Sequence, residues 1–314
     1  MVADGLSVNN AEYSSTSFRV IRTSIGARNF LGNEIAYPAQ SRTGDNCLLA
    51  TKVMVPVDGL VREGVGLLGS PPFEIPRSVE RDASVDQQLN GEAKRLRLAA
   101  KNRYNLRTVG VTLLARWMGT FLLALIAVLA GTLYGRFGDA AVVVAFVVAV
   151  PCGLAYGVFV ERAALAFQSL SPRICSIYDP YFWWHERYWK TVAQAGVFNG
   201  TPFKTCVLRV LGVRIGRRVF DDGTLLTERR LVRIGDGCTL NAGSSVWCHS
   251  QEDGAFKSDR TVLGAGVTLG VGALIHYGVR IGDGAVIATD SFLMKGEEVP
   301  PHAHWGGNPA GEMP

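Results

Sequence analysis

The sequence is poor in the residues from which disulfide frameworks and metal sites are built. Cysteine occurs six times in 314 residues and never in a CxxC spacing, which argues against a disulfide framework and against a zinc site. Reduced, cytosol-facing domains are therefore expected. Residues 1–10 have neither a basic start nor an apolar run, so we expect no signal peptide there. The cysteines are Cys47, Cys152, Cys175, Cys206, Cys238 and Cys248.

Glycine and apolar residues are abundant instead. Glycine supplies 36 of the 314 residues, which is more than the usual ~7%. The net charge is +5 and the mean hydropathy is +0.17. The basic residues cluster beside apolar runs, so a membrane explains them better than a nucleic-acid partner does. The length allows about two domains.

An aliphatic residue returns at every sixth position in the C-terminal part of the chain. Neither the period of a helix nor the simple alternation of a strand gives this spacing, whereas one inward aliphatic in six predicts a parallel β-helix with three hexads in each triangular coil. The phase breaks between Val246 and Leu263, which predicts a loop outside the coil. The hexad positions are Ile234, Leu240, Val246, Leu263, Leu269, Ile275, Ile281, Ile287, Leu293 and Val299.

A second run of hexads covers residues 25–73. An alignment that places Gly26 on Gly264 brings the two runs into register without a gap. The alignment predicts an internal duplication. It also places Met1 on Thr239, inside the C-terminal copy, which we interpret as a sign that the chain is the C-terminal part of a longer protein. The alternative is a shorter, divergent first copy with its own cap.

Two long apolar runs lie between the hexad regions. Residues 111–134 carry one charge, Arg116, and residues 140–160 carry none, so each run can cross a ~30 Å hydrocarbon layer. A buried pair of core helices is the alternative. The link between the runs allows only a hairpin, and six basic residues before it place both ends in the cytoplasm. These residues are Lys94, Arg95, Arg97, Lys101, Arg103 and Arg107.

The segment that follows the hairpin, residues 178–189, is rich in tryptophan, tyrosine and phenylalanine. Tryptophan and tyrosine favour the interface between membrane and water. We therefore expect a segment that lies on the membrane surface. An aromatic cage for a ligand is the alternative.

Several C-terminal motifs resemble the left-handed β-helix of hexapeptide-repeat acyltransferases, in particular the maltose and galactoside acetyltransferase branch. They are Ile234-Gly-Asp-Gly, the loop His249-Ser-Gln-Glu-Asp, Ile281-Gly-Asp-Gly-Ala-Val and the closing Gly306-Gly-Asn-Pro-Ala. The resemblance implies that His249 is the general base that takes a proton from the acceptor as it attacks a thioester carbonyl. The usual histidine pKa of about 6.5 suits this role. A solvated loop histidine is the alternative.

Other residues receive roles from the same resemblance. Glu252 or Asp253 would hold the His249 ring in the correct tautomer. His276 would line the substrate cleft, although a satisfied corner histidine is the simpler interpretation. Cys248 is interpreted as a small buried residue rather than a nucleophile. The residues expected to bind the substrate or thioester are His276, Trp305, Gly307 and Asn308.

Two hexad regions on either side of a membrane hairpin, with residues 176–190 between them, resemble the C-terminal half of ε-poly-L-lysine synthetase-type nonribosomal peptide synthetases. This resemblance covers essentially the whole chain. It implies amide (isopeptide) formation from a carrier-bound aminoacyl thioester, with phosphopantetheine as cofactor, no metal, and adenylation and carrier domains as partners. The alternatives are a membrane-tethered O- or N-acetyltransferase that uses acetyl-CoA, and a non-catalytic scaffold.

The sequence thus predicts a mainly β protein in which two left-handed parallel β-helix solenoids are joined by a two-helix transmembrane hairpin in the inner or plasma membrane. The solenoids would pack within one chain or form a homo-oligomer. Because the first has no histidine, we expect it to be non-catalytic. The expected domains are an incomplete β-helix (1–77), a linker and basic juxtamembrane helix (78–107), the hairpin (108–165), an aromatic interfacial segment (166–205) and an acyltransferase-like β-helix (206–314).

Overall fold

The fold was obtained as a computed structural model, which describes residues 2–77, 91–193, 195–252 and 254–314. The predicted linker, residues 78–90, lies outside the described residues. Four α-helices are present in the described part: α1 (Gly91–Phe137), α2 (Asp139–Ala164), α3 (Pro180–Lys190) and α4 (Lys204–Val210).

Ten short strands precede the helices. Most of them pair in parallel, and the main sheet has the order β10-β9-β8-β5, with only β10 antiparallel. The strands are β1 (Ser7–Val8), β2 (Ala11–Tyr13), β3 (Phe18–Val20), β4 (Ser24–Ile25), β5 (Phe30–Leu31), β6 (Ala36–Tyr37), β7 (Arg42–Thr43), β8 (Leu48–Leu49), β9 (Gly66–Leu68) and β10 (Phe73–Ile75).

The remaining strands all follow helix α2. They are β11 (Arg173–Ser176), β12 (Arg214–Ile215), β13 (Phe220–Asp221), β14 (Leu225–Leu226), β15 (Val232–Ile234), β16 (Thr239–Leu240), β17 (Ser245–Val246), β18 (His249–Glu252), β19 (Ala255–Ser258), β20 (Thr261–Leu263), β21 (Thr268–Leu269), β22 (Leu274–Ile275), β23 (Arg280–Ile281), β24 (Val286–Ile287), β25 (Phe292–Leu293), β26 (Glu298–Val299), β27 (His304–Gly306) and β28 (Gly311–Glu312).

Three parallel sheets build this C-terminal region. Their orders are β12-β15-β20-β23-β26, β13-β16-β21-β24-β27-β28 and β14-β17-β22-β25, with β28 alone antiparallel. Leu263 pairs with Ile281 and Ile281 with Val299, so each strand meets the strand three hexads later. The hexad aliphatics fill the space between the sheets, and Leu269 and Ile287 are fully buried. The predicted mainly β fold with parallel sheets is confirmed.

Close stacking of successive turns explains the small residues beside the hexad aliphatics. A Cβ at Gly270 would lie 2.6 Å from the backbone of Ala288 and Thr289 in the next turn. Real side chains do not tolerate such an approach, so the corner requires glycine.

The strands of the two regions recur at the offset predicted from the sequence. The hairpin of β2 and β3 corresponds to the hairpin of β18 and β19, since the same alignment places Ala11 on His249. Likewise, β5, β8 and β9 correspond to β21, β24 and β27. The two regions also contact each other. Leu68 packs against Trp247, Leu274 and Phe292.

The basic stretch and the first apolar run form one continuous helix, α1, rather than two separate elements. Helix α2 returns along it, and the Tyr156 hydroxyl donates a hydrogen bond to the Ala115 carbonyl oxygen at 2.6 Å. Both helices are long and apolar enough to cross a membrane, and their most apolar windows are hardly buried by the rest of the protein. The helices are thus candidate membrane spans.

The hairpin is fastened to the C-terminal region at the end of α2. Glu161, which is 3% exposed, accepts a hydrogen bond from Arg229 Nη1 at 2.8 Å and another from the Ala193 backbone N–H at 3.0 Å. Arg230 donates to the Gln168 carbonyl oxygen at 2.9 Å. Arg229 and Arg230, which are neighbours in the segment after β14, therefore connect the end of the helical hairpin to the C-terminal region.

Candidate active site

Helix α3 covers the hairpin of β18 and β19. The helix begins where the sequence favours it, because the Asp179 side chain caps the Tyr181 backbone N–H at 2.8 Å and Pro180 occupies the first turn. Strand β11 completes the cover by pairing antiparallel with β19. The segment before the parallel sheets thus becomes one wall of a site.

Several aromatic residues of this wall are buried in the protein. Phe182, Trp183, His185 and Tyr188 are all buried, and Phe182 packs on Phe256 with ring centres 5.3 Å apart. These side chains bury their apolar area against the protein. The location of the segment at a membrane surface stays a prediction.

The predicted loop between Val246 and Leu263 is the hairpin of β18 and β19, which leaves the three-sheet arrangement as expected. His249 is the first residue of β18. Its ring lies against the Trp189 indole, with ring centres 4.2 Å apart, and 6.0 Å from the Phe256 ring centre. The His249 side chain keeps 18% of its surface exposed, so a substrate can reach it.

Glu228 is the residue around which the site is built. Its side chain is fully buried, and its Oε1 lies 2.7 Å from His249 Nδ1 and 3.1 Å from His185 Nε2. Trp189 Nε1 donates to the same oxygen at 2.6 Å. The other oxygen, Oε2, accepts hydrogen bonds from the Thr227 hydroxyl and from the Cys248 backbone N–H. One carboxylate therefore joins helix α3 to the His249 hairpin.

This environment favours the ionised form of Glu228. Burial alone would raise the pKa of the carboxyl, but the charge interaction with His249 and the hydrogen bond from His185 hold it well below its usual value. A buried carboxylate beside Nδ1 orients the imidazole and stabilises the imidazolium that forms when the ring accepts a proton. Nε2 is then the ring nitrogen that can accept a proton from a substrate.

The sequence did not single out Glu228. It assigned the orienting role to Glu252 or Asp253, whereas the Glu252 carboxylate pairs with Lys295 Nζ at 2.6 Å. Asp253 lies outside the described residues. A signal was nevertheless present, since the inward positions Leu226 and Ile234 are eight residues apart instead of six. This second, shorter break in the hexad phase contains Glu228.

His276 lies in the interior. It is 5% exposed, and its Nδ1 accepts a hydrogen bond from the Tyr277 backbone N–H at 3.0 Å. Burial, together with the positive charges of Lys295 and His249, lowers its pKa to about 3. The ring is therefore neutral near pH 7, which suits a residue that packs or donates a hydrogen bond and argues against a charged role.

The remaining predicted residues are Trp305, Gly307 and Asn308, of which Asn308 contacts the N-terminal region. Asn308 donates from Nδ2 to the Lys52 carbonyl oxygen at 2.7 Å, and the backbone carbonyl oxygen of Asn308 accepts from the Ser70 backbone N–H at 2.9 Å. Gly307 adopts a positive φ of 97° beside it. Trp305 is partly buried in β27. The closing motif thus contributes to the contact with the N-terminal region.

Some buried polar atoms have no hydrogen-bond partner among the residues that the structure describes, and they include Trp247 Nε1, Trp305 Nε1 and Asn308 Oδ1. Buried polar atoms usually have partners, and an absent ligand is one explanation of an orphan. Indole N–H donors and an amide oxygen are polar groups with which the amides of a pantetheine arm can form hydrogen bonds.

Metal and thiol chemistry receive no support from the arrangement. Within the described ranges, no group of three His, Cys, Asp or Glu side chains is placed to hold a metal ion. Burial, followed by the negative charge of Glu228, raises the pKa of the Cys248 thiol far above its usual value. Cys248 is therefore a buried neutral thiol, in agreement with its interpretation from the sequence.

The chain is similar in sequence to known proteins. No protein-family model matches the chain. It is 27% identical to a delta-poly-L-ornithine synthetase of Acinetobacter baumannii in an alignment of 320 positions that covers 98% of this chain and 24% of the synthetase. A chloramphenicol acetyltransferase of Klebsiella aerogenes is 34% identical in an alignment of 141 positions that covers 37% of this chain and 60% of that protein. The chain thus spans about a quarter of the synthetase's length.

Solved structures gave further similarities. One is a hexapeptide-repeat acetyltransferase of Vibrio cholerae in complex with acetyl-CoA, with 23% identity, a TM-score of 0.31, and coverage of 33% of this chain and 60% of that chain. Another is a maltose O-acetyltransferase of Clostridium difficile, with 18% identity, a TM-score of 0.33, and coverage of 49% and 95%. On the sequence similarities, the predicted resemblance is confirmed: the chain is related to a poly-amino-acid synthetase along nearly all of its length and, over part of it, to acyltransferases.

Proposed function

We propose that this chain carries the amide-forming acyl transfer of a poly-amino-acid synthetase. The observation that carries the proposal is the buried Glu228 carboxylate placed 2.7 Å from His249 Nδ1, which is the arrangement that makes a histidine a directed base. Similarity to a delta-poly-L-ornithine synthetase over 98% of the chain supports this class of reaction. The acceptor is then an amine, and the donor is an aminoacyl thioester.

In the proposed mechanism His249 Nε2 removes a proton from the acceptor amine as its nitrogen attacks the thioester carbonyl. Glu228 stabilises the resulting imidazolium, and His249 returns the proton to the departing thiolate. Trp189 and Phe256 enclose the ring and limit the access of competing water. A pantetheine thiol supplies the activated acyl group as a thioester. Trp247, Trp305 and Asn308 would hold its arm through their free polar atoms.

The proposed architecture follows the resemblance. Both parallel-sheet regions are left-handed β-helices, and α1 and α2 form a transmembrane hairpin with both regions on the cytoplasmic side. Adenylation and carrier domains supply the aminoacyl thioester, as a further part of the protein or as a separate chain. The N-terminal region has Ala11 in the place of His249, so its role is structural rather than catalytic.

A second candidate is acetyl transfer from acetyl-CoA to an amine or hydroxyl group. The 34% identity to a chloramphenicol acetyltransferase favours it. The same base serves both reactions, because each needs a proton removed from a nucleophile. The donor therefore distinguishes them: an aminoacyl-pantetheine thioester for the first and acetyl-CoA for the second.

The test uses the full chain in lipid nanodiscs. Release of thiol and formation of amide are followed with aminoacyl-pantetheine thioesters or acetyl-CoA as donors and a diamino acid as acceptor. His249→Ala should lower the rate by about 10²–10⁴-fold, the usual contribution of a general base, without a loss of folded protein. His304→Ala, at an exposed histidine, is the matched control. An unchanged rate in His249→Ala would exclude both enzymatic proposals and leave the scaffold.

A further inference from the structure

A cavity of about 950 Å³ opens between the candidate membrane helices α1 and α2 and the site helix α3. On α1 its lining is a polar stripe that repeats every three or four residues and therefore follows one face of the helix. The stripe begins at the membrane end of the basic stretch and enters the apolar run. It consists of Asn105, Thr108, Thr112, Arg116 and Thr120.

The mouth of the cavity is positively charged. Arg187 and Lys190 of α3 line it together with Arg116. Arg187 Nε donates to the Thr108 hydroxyl at 3.0 Å, and the guanidinium carbon lies 4.1 Å from the centre of the Tyr104 ring. Glu186 also lines the cavity, but it lies 3.5 Å from Lys101 Nζ. Within the described ranges no carboxylate lies in ion-pair distance of Arg116, Arg187 or Lys190.

Arg116 is the unusual member of this group. Eight residues of helix separate it from Thr108, so it lies about 12 Å deeper along α1. An arginine at that depth in a membrane needs an anion or an aqueous cavity as partner, and its long side chain reaches back toward the interface. The hydroxyl of Thr112, between the two, is buried and has no partner among the described residues. The Arg116 charge and the Thr112 hydroxyl are therefore both available to a ligand.

Much of the remaining lining is apolar. Val109, Leu113 and Val160 contribute side chains, and Gly157 leaves room between the helices. A cavity lined by three cations and by an apolar wall matches the two ends of a phospholipid. Guanidinium groups bind phosphate oxygens in pairs, and basic pockets between membrane helices on the cytoplasmic side favour anionic headgroups.

The cavity also adjoins the candidate active site. Trp189 lines it and donates from Nε1 to Glu228, while its ring lies against His249. We propose that the cavity binds an anionic phospholipid, with its phosphate held by Arg116, Arg187 and Lys190, so that the lipid packs on the tryptophan that supports the base. The proposal rests on membrane insertion of α1 and α2 and does not require the reaction proposed above.

The test is lipid binding measured by native mass spectrometry on the full chain, delipidated and titrated with phosphatidylglycerol or phosphatidylcholine. Phosphatidylglycerol should bind preferentially, and the double variant Arg116→Gln, Lys190→Gln should bind it about tenfold more weakly. Arg107→Gln is the control. It lies nine residues from Arg116, two and a half turns away on the opposite face of α1, and should bind as the unmodified chain does.

Three outcomes would overturn the proposal. They are equal binding of the two lipids, an equal loss in Arg107→Gln, and displacement of phosphatidylglycerol by coenzyme A or inorganic phosphate, which would assign the cavity to a soluble phosphate. Because binding is read without turnover, an inactive acyltransferase would not affect the result. Circular dichroism of each variant separates lost binding from lost fold.

Discussion

The same hairpin occurs twice in this molecule, and only one copy carries a candidate site. In the C-terminal copy, β18 and β19 are covered by β11 and α3, and every residue of β19 is buried. In the N-terminal copy, β2 and β3 have no such cover in the described structure, and Tyr13 and Phe18 are 81% and 67% exposed. The backbone pairing is antiparallel in both.

The difference indicates that a histidine in this hairpin is not sufficient for a site. His249 obtains its carboxylate from Glu228 and its aromatic walls from Trp189 and Phe256, each on a different element. Ala11 takes its place in the N-terminal copy, with Glu12 in an exposed ion pair with Arg19 beside it. The site is thus produced by the cover and the hairpin together.

The buried ion pair of Glu161 with Arg229 and the exposed ion pair of Glu12 with Arg19 should differ most in their effect on stability. Glu161→Gln leaves Arg229 buried without its carboxylate and should lower the free energy of unfolding by about 3–5 kcal/mol. Glu12→Gln removes an exposed pair of similar length, 2.6 Å, and should have little measurable effect, because solvent screens the pair. Thermal unfolding of the two variants in the same detergent checks this. Equal losses of thermal stability in the two variants would show that the buried pair does not hold the helical hairpin of α1 and α2 to the C-terminal region.

Removal of the charge behind the base should come next in size. Glu228→Gln keeps the side-chain shape but cannot stabilise an imidazolium, so we expect acyl transfer to fall about a hundredfold, chiefly in kcat. Glu252→Gln is the matched control, because its carboxylate pairs with Lys295 instead. A larger loss in the control would return the orienting role to Glu252.

Acid should destabilise the C-terminal region through His276. Its pKa is about 3 in the folded protein and about 6.5 in an unfolded chain, so the unfolded state binds the proton first and stability falls as pH drops below about 6.5. Each pH unit costs up to about 1.4 kcal/mol. Unfolding midpoints between pH 6.5 and 5 should fall less in His276→Gln than in the unmodified chain.

Between pH 6.5 and 5, the free energy of unfolding should depend on His276 and not on Glu228. The pKa of Glu228 is lowered on folding, so its contribution is present above the unfolded value of about 4.3 and is lost only at lower pH. Equal slopes for His276→Gln and the unmodified chain between pH 6.5 and 5 would contradict the account of His276.

The smallest effect is expected from placing the base in the uncovered copy. Ala11→His should change stability by less than about 0.5 kcal/mol, because the position is not deeply buried. In the His249→Ala background it should restore no acyl transfer, since neither a carboxylate nor an aromatic wall faces Ala11 in the described structure. Recovery of activity would show that the hairpin alone is sufficient.

The hexad phase was enough to predict the parallel sheets, the hairpin that leaves them and the offset between the copies. These features are periodic, and each inward aliphatic residue such as Leu269 indicates where a strand lies in the sequence. The position of His249 followed from the break in the phase.

The partners of His249 could not be predicted in the same way. Glu228 follows β14 in the preceding turn of the sheets and reaches His249 only because successive turns stack, whereas the sequence favoured the nearby Glu252. The burial of the aromatic segment could not be predicted for a related reason. Tryptophan and tyrosine suit both a membrane interface and a packed wall, and the sequence alone does not reveal the tertiary contact of Phe182 with Phe256.

The central claim is that Glu228 acts through His249. A double-mutant cycle of His249→Ala, Glu228→Gln and the combined variant, read as the rate of amide formation from an aminoacyl-pantetheine thioester, tests it most directly. If the carboxylate serves the base, the combined variant should be no slower than His249→Ala alone. Losses that multiply, so that the combined variant is about a hundredfold slower than His249→Ala, would contradict the claim and make Glu228 an independent contributor.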